Sequence, residues 1–173
     1  MNKNNLVIIG FMGTGKSTVG KILAQNLEWT YKDTDHEIEQ AAGCSIAELF
    51  RSKGEATFRE IESETIGYIL ARSQQVVATG GGCVLAEHNR ALMQRCGFVV
   101  SLNASVETIV SRVDQAKDRP LLTGDTSEKV IELMQRRKGL YSFAHFHVDT
   151  DGLDPEDIAN MILSEFHKAL NFN

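Results

Sequence analysis

Gly10-Phe11-Met12-Gly13-Thr14-Gly15-Lys16-Ser17 directly follows the aliphatic run Leu6-Val7-Ile8-Ile9 and precedes Val19, Ile22, Leu23 and Leu27, which are apolar at helical spacing. This is strand, glycine loop, helix. A continuous aliphatic run without polar alternation fits a strand buried on both faces, as in a parallel sheet covered by helices. The octapeptide fits G-x-x-x-x-G-K-[ST] in full, and each fixed position has a physical reason. Glycines let the chain wrap a phosphate without Cβ clashes, while inward N–H groups and the helix dipole supply positive potential. Lys16 can neutralise β- and γ-phosphate oxygens, and the Ser17 hydroxyl is placed to ligate Mg²⁺. The loop identifies a purine nucleoside triphosphate site and leaves the acceptor unnamed.

The same alternation continues outward. Trp29 to Lys32 reads as a second strand, followed by Asp33-Thr34-Asp35, and Thr34 with Glu37 reads as a capping box opening a helix. Ser45 with Glu48 repeats that signal before a short helix to Lys53, which Gly54 separates from a longer one carrying Phe58, Ile61, Ile66 and Ile69. Gln75 to Thr79 is a third strand ending in Gly80-Gly81-Gly82. Helix Glu87 to Arg95, strand Phe98 to Leu102 and helix Ser105 to Val113 follow. Asp114 to Asp125, containing Arg119-Pro120, reads as a loop; a helix from about Ser127 to Ala144, a strand Phe146 to Asp149 and a helix opened by Asp154-Pro155 complete the chain. Strands alternating with helices predict a three-layer α/β domain around a mostly parallel sheet of about five strands, with ligands at the strands' carboxyl ends.

At 173 residues the chain is the size of one domain. With 42% apolar residues, 24% charged residues and two prolines it can bury a core. The longest apolar runs are far shorter than the ~18–20 residues a membrane helix needs, and no signal-peptide hydrophobic region precedes the glycine loop. A cytoplasmic monomer without membrane partners is expected. Three cysteines without ligand spacing imply reduced thiols. A net charge of −5 argues against nucleic-acid binding and leaves room for small anions held by a few local cations.

Several segments could serve the acceptor. Asp33 and Asp35 at a helix start could be caps, or could serve Mg²⁺ and an acceptor hydroxyl. Arg59 and Glu62 share a helical face and form either a surface ion pair or a planar fork aimed at a substrate carboxylate. Gly80, Gly81 and Gly82 make either a flexible turn or a place where a ligand approaches the main chain. Arg136 and Arg137, near a predicted helix end, could complement its dipole. Arg119 is either an exposed loop cation or an arginine that folds over the phosphates and excludes water.

Taken in order along almost the whole chain, Gly10 to Ser17, Asp33-Thr34-Asp35, Phe58-Arg59 with Glu62, Gly80 to Gly82, Arg119-Pro120-Leu121-Leu122 and Arg137 with Tyr141 resemble the shikimate kinase family, within the nucleoside-monophosphate-kinase-like P-loop proteins. The resemblance implies transfer of the γ-phosphoryl group of ATP to the 3-hydroxyl of shikimate, with Mg²⁺. It implies strand order 2-3-1-4-5, which periodicity alone does not establish, acceptor-binding helices over about 35–70 and a lid over about 114–125. It also implies roles: Gly13, Thr14, Gly15, Lys16, Ser17 and Thr18 around the phosphates, Ser17 and Asp33 at the metal, Asp35 on the sugar-like hydroxyls as the candidate base. Arg59, Arg137 and Gly80 to Gly82 would hold the acceptor, Glu62 would support Arg59, Arg119 would be the lid arginine and Arg112 would pack on adenine. Two positions depart from the family pattern: Glu60 stands where many members have a second arginine, and Asp151-Gly152-Leu153 stands where some have an adenine-contacting arginine. The competing readings are a gluconate-type kinase and a non-catalytic module that keeps the fold.

Overall fold

The structure is a computed structural model that describes residues 4–114 and 126–171. Five parallel strands, β1 (Asn5–Gly10), β2 (Thr30–Asp33), β3 (Gln75–Ala78), β4 (Phe98–Asn103) and β5 (Phe146–Asp149), form one sheet in the order β2-β3-β1-β4-β5. The helices are α1 (Lys16–Leu27), α2 (Thr34–Ala42), α3 (Ile46–Leu70), α4 (Glu87–Cys96), α5 (Val106–Asp114), α6 (Thr126–Arg136) and α7 (Pro155–Asn171).

The aliphatic run explains why β1 is central. Val7 pairs with Val77 on one side and Val99 on the other, so both edges of the strand are hydrogen-bonded. Successive side chains then feed opposite layers. Leu6 and Ile8 pack with Val19 and Leu23 of α1 and with Ile158, Ile162 and Phe166 of α7. Val7 and Ile9 pack with Ile66 and Ile69 of α3 and Met93 of α4. All four β1 side chains are fully buried, each contributing about 1.5–3 kcal/mol of transfer free energy. A separate cluster of Ile38, Leu49 and Phe58 ties α2 to α3 and makes the acceptor side a packed unit.

Two local expectations change. Asp33, not Thr34, caps α2: its Oδ1 accepts from the backbone N–H groups of Asp35 and His36 at 3.1 and 3.4 Å. Asp33 is the last residue of β2 and keeps extended backbone, which puts its carboxylate beneath the first turn. Ser45 caps α3 as expected, and Gly54, non-helical at φ 79° and ψ 168°, divides it into the shorter and the longer helix that the sequence predicts. The helix expected to reach Ala144 ends at Arg136, because the Arg137 N–H is shared between the carbonyls of Leu133 and Met134 and a chain of tight turns follows through Ala144.

Candidate active site

At the carboxyl ends of β1, β2 and β3 lies a cleft of about 540 Å³, lined by the glycine loop, the start of α2, α3 and Gly80 to Gly82. Its nucleotide side follows from the end of β1. Gly10 leaves the strand at φ 149°, where a Cβ would press on the Leu102 carbonyl. The N-cap of α1 is Gly15, in the left-handed region and with no side chain to cap the helix. The first amides of α1 are therefore left for an anion, and Gly15, Lys16, Ser17 and Thr18 all line the cleft. Lys16 Nζ donates to the carbonyls of Gly10 and Phe11 at 2.9 and 2.8 Å. Arg112, on the last turn of α5, donates to the Gly13 carbonyl at 2.9 Å. Thr14 differs from its neighbours: it is buried and donates its hydroxyl to the Phe11 carbonyl at 2.8 Å, leaving only its main chain for phosphate.

Ser17 Oγ donates to Asp33 Oδ2 at 3.1 Å, and the Tyr31 hydroxyl donates to the same oxygen at 3.2 Å. Burial, opposed by the hydrogen bond with Ser17 and aided by the Asp33 carboxylate, pushes the Tyr31 phenol up to about 12, so it stays a donor. A hydroxyl and a carboxylate oxygen side by side at the phosphate loop suit Mg²⁺, which takes one or two protein oxygens, substrate phosphates and waters.

On the acceptor side, Asp35 sits on the first turn of α2. Burial raises its carboxyl above the ordinary range, Asp33 adds to the rise, Lys16 opposes it, and Glu39 and Arg59 act in smaller measure. Arg59 Nη1 meets Glu62 Oε2 at 2.8 Å and Nη2 meets Glu55 Oε1 at 3.2 Å. The Glu62 side chain is only 2% exposed, and the Arg59 guanidinium lies over the Phe58 ring at 5.0 Å. The salt bridge and the held fork are thus one arrangement. Burial raises the Glu62 carboxyl, an effect opposed by Arg59.

The glycine triplet stands against the side chains that line the cleft. A Cβ on Gly80 would collide with Asp35, and one on Gly82 would lie 2.6 Å from Arg59 Nη1. The Gly80 N–H donates to Thr34 Oγ1 at 2.9 Å, so the residue expected to cap α2 instead ties α2 to the glycine turn. Arg137 Nη1 and the Tyr141 hydroxyl both donate to the Gly81 carbonyl at 2.9 Å, and Arg137 lies over Phe11 at 5.4 Å.

The structure therefore gathers Lys16, Ser17, Asp33, Asp35, Arg59, Arg112, Arg137 and Gly80 to Gly82 into one cleft. Arg119 lies outside the described residues, as does nearly all of the expected lid. Thr34, Phe11 and Glu39 were missed as site residues. Glu39 lines the cleft and could have been found from its i, i+4 spacing to Asp35; Thr34 and Phe11 act through partners distant in sequence.

A family model described as shikimate kinase matches residues 12–167. The chain belongs to the shikimate kinase family. It is 44% identical to the shikimate kinase of Thermodesulfovibrio yellowstonii over 168 residues, covering 96% of this chain and 97% of the relative. The shikimate kinase of Geobacter sulfurreducens is 46% identical over 159 residues, covering 91% and 88%. Among solved structures, the shikimate kinase from Acinetobacter baumannii in complex with shikimate superposes with a TM-score of 0.92 at 35% identity, covering 97% of this chain and 95% of that one. Sheet order and flanking helices are those of the shikimate kinases, as the sequence resemblance implied.

Proposed function

We propose that this shikimate kinase family member transfers the γ-phosphoryl group of ATP to the 3-hydroxyl of shikimate. The observation that carries the reading is the pairing, in one cleft, of a complete phosphate loop with a buried-anchored arginine fork beside Asp35. An acceptor carrying both a carboxylate and vicinal hydroxyls fits that pair: Arg59 and Arg137 bind the carboxylate, and Asp35 accepts from a hydroxyl. Lys16 exchanges its loop carbonyls for phosphate oxygens when the nucleotide enters. Ser17 and Asp33 would hold Mg²⁺, which would supply charge neutralisation on the phosphates. Asp35, with its carboxyl raised by burial, both orients the hydroxyl and takes its proton, since a base titrating nearer neutrality is the better acceptor. Arg112 packs against adenine, and Arg119 covers the phosphates as the lid arginine.

A coupled assay of ADP release with shikimate, gluconate and nucleoside monophosphates tests the reading. Strong stimulation by shikimate alone is the expected result. Stimulation by gluconate instead would transfer the site to the gluconate-type reading, and none with any acceptor would favour a binding module. Gly82→Ala gives a narrower test. Its Cβ displaces the Arg59 guanidinium, so KM for shikimate should rise about tenfold, the scale of one charged hydrogen bond, with KM for ATP unmoved.

A further inference from the structure

We infer that Asn89 and Arg90, neighbours on the first turns of α4, are positioning residues for shikimate, acting through the turn that carries Gly80 to Gly82. Neither lines the cleft. The inference rests on the acceptor site proposed above, and begins from the backbone of that turn.

Every carbonyl from Gly80 to Ala86 accepts a hydrogen bond. Gly80 and Gly82 accept from the N–H groups of Cys83 and Leu85 at 3.2 and 3.0 Å, which makes Cys83–Leu85 a 3-10 turn built directly on the glycines. Gly81 accepts from Arg137 and Tyr141. The next three carbonyls are supplied from α4: Asn89 Nδ2 donates to Cys83 at 3.1 Å, and Arg90 Nη1 donates to Val84 at 2.6 Å and Leu85 at 3.2 Å. The Arg90 N–H closes the series on Ala86 at 3.3 Å. A short 3-10 turn leaves its last carbonyls without internal partners, and these two side chains supply them.

The consequence for an anionic acceptor is a matter of polarity. Carbonyl oxygens engaged within the protein are not presented to a carboxylate, and since the N–H groups of Gly80, Cys83 and Leu85 are spent on Thr34, Gly80 and Gly82, the turn has those of Gly81 and Gly82 to offer. The same turn fixes Gly82, whose missing side chain makes room for Arg59. Asn89 itself points to a positional role. It is fully buried, and its Oδ1 has no hydrogen-bond partner among the described residues, so an apolar residue would fill the site at less desolvation cost. What an apolar residue lacks is the Nδ2 donor to Cys83.

Arg90 is only partly buried, which makes Arg90→Met the decisive variant, since it keeps the aliphatic stem and removes the donor. Steady-state kinetics should show KM for shikimate raised about fivefold to tenfold, the scale of a lost hydrogen bond, with KM for ATP unchanged and kcat nearly so. Amide resonances of Gly81 and Gly82 should shift in the same variant. Arg90→Lys, which keeps a cation within reach of both carbonyls, should recover most of the affinity, and Asn89→Ala should repeat the shikimate effect at a lower melting temperature. A folded Arg90→Met with unmoved KM for shikimate, or with equal losses toward both substrates, would overturn the inference alone. Wild-type protein that neither binds nor phosphorylates shikimate would overturn the functional reading, and with it this one.

Discussion

Asp35→Asn is expected to lower kcat by about 10²–10⁴-fold, the range for removing a positioned acid–base group, while KM for ATP stays within about twofold. The amide keeps the size and one acceptor oxygen of the carboxylate, so the hydroxyl can still be oriented; only the proton acceptor is lost. Stability should move the other way. Burial and Asp33 hold the folded carboxyl above its ordinary range, so the native state binds a proton more readily than the unfolded chain does. Stability contributed at this position therefore falls as pH rises from the ordinary carboxylate range through the raised folded value, and the charged form costs stability at neutral pH. Thermal melts should show Asp35→Asn more stable than wild type at neutral pH, with the difference vanishing in acid. Unchanged turnover, or a variant that is less stable at neutral pH, would remove Asp35 from this role.

The second large effect concerns Arg59. Arg59→Lys replaces a planar fork by a point charge and should raise KM for shikimate by about 10–100-fold, corresponding to one charge-assisted hydrogen bond. Arg59→Met goes further, because it leaves the Glu62 carboxylate 2% exposed without its ion-pair partner, a change that typically costs about 3–5 kcal/mol. Since Arg59 opposes the rise in the Glu62 carboxyl, its removal lets that carboxyl climb further. The stability loss should then be greatest at high pH and shrink as Glu62 takes up a proton on acidification. Adding Glu62→Gln to Arg59→Met should restore much of the melting temperature and none of the shikimate affinity. That split, read by denaturation and by kinetics, distinguishes the buried pair's structural part from its binding part. Equal losses in single and double variants would contradict it.

How much of this was readable beforehand depended on distance along the chain. The glycine loop, the strand before it and the helix after it are local, and Gly10 to Ser17 carries its own chemistry. Ser45 as a cap and Gly54 as the break between two helices are likewise local and legible. Of the two caps that the sequence offers α2, Asp33 and not Thr34 serves, because capping depends on where β2 ends, and the pairing of Asp33 with Ala78 across the sheet decides that. The three glycines were legible as unusual but not as explained: what they accommodate is Asp35 and Arg59, contributed by segments far from them in sequence. Strand order was unreadable from periodicity for the same reason, and came only with the family resemblance. Thr34 and Phe11, whose contributions are a bond to Gly80 and a face for Arg137, carry no sequence pattern that marks them.

The central place of β1 also has a bearing on how the protein is made. Both neighbours of this first strand, β3 at Gln75–Ala78 and β4 at Phe98–Asn103, leave the ribosome long after it does. Until then Leu6 to Ile9, all fully hidden in the finished molecule, stand outside the ribosome with two unpaired edges. Parallel pairing cannot be relieved by a local hairpin, so nascent chains arrested before β4 should be the species most prone to aggregate and most dependent on chaperones.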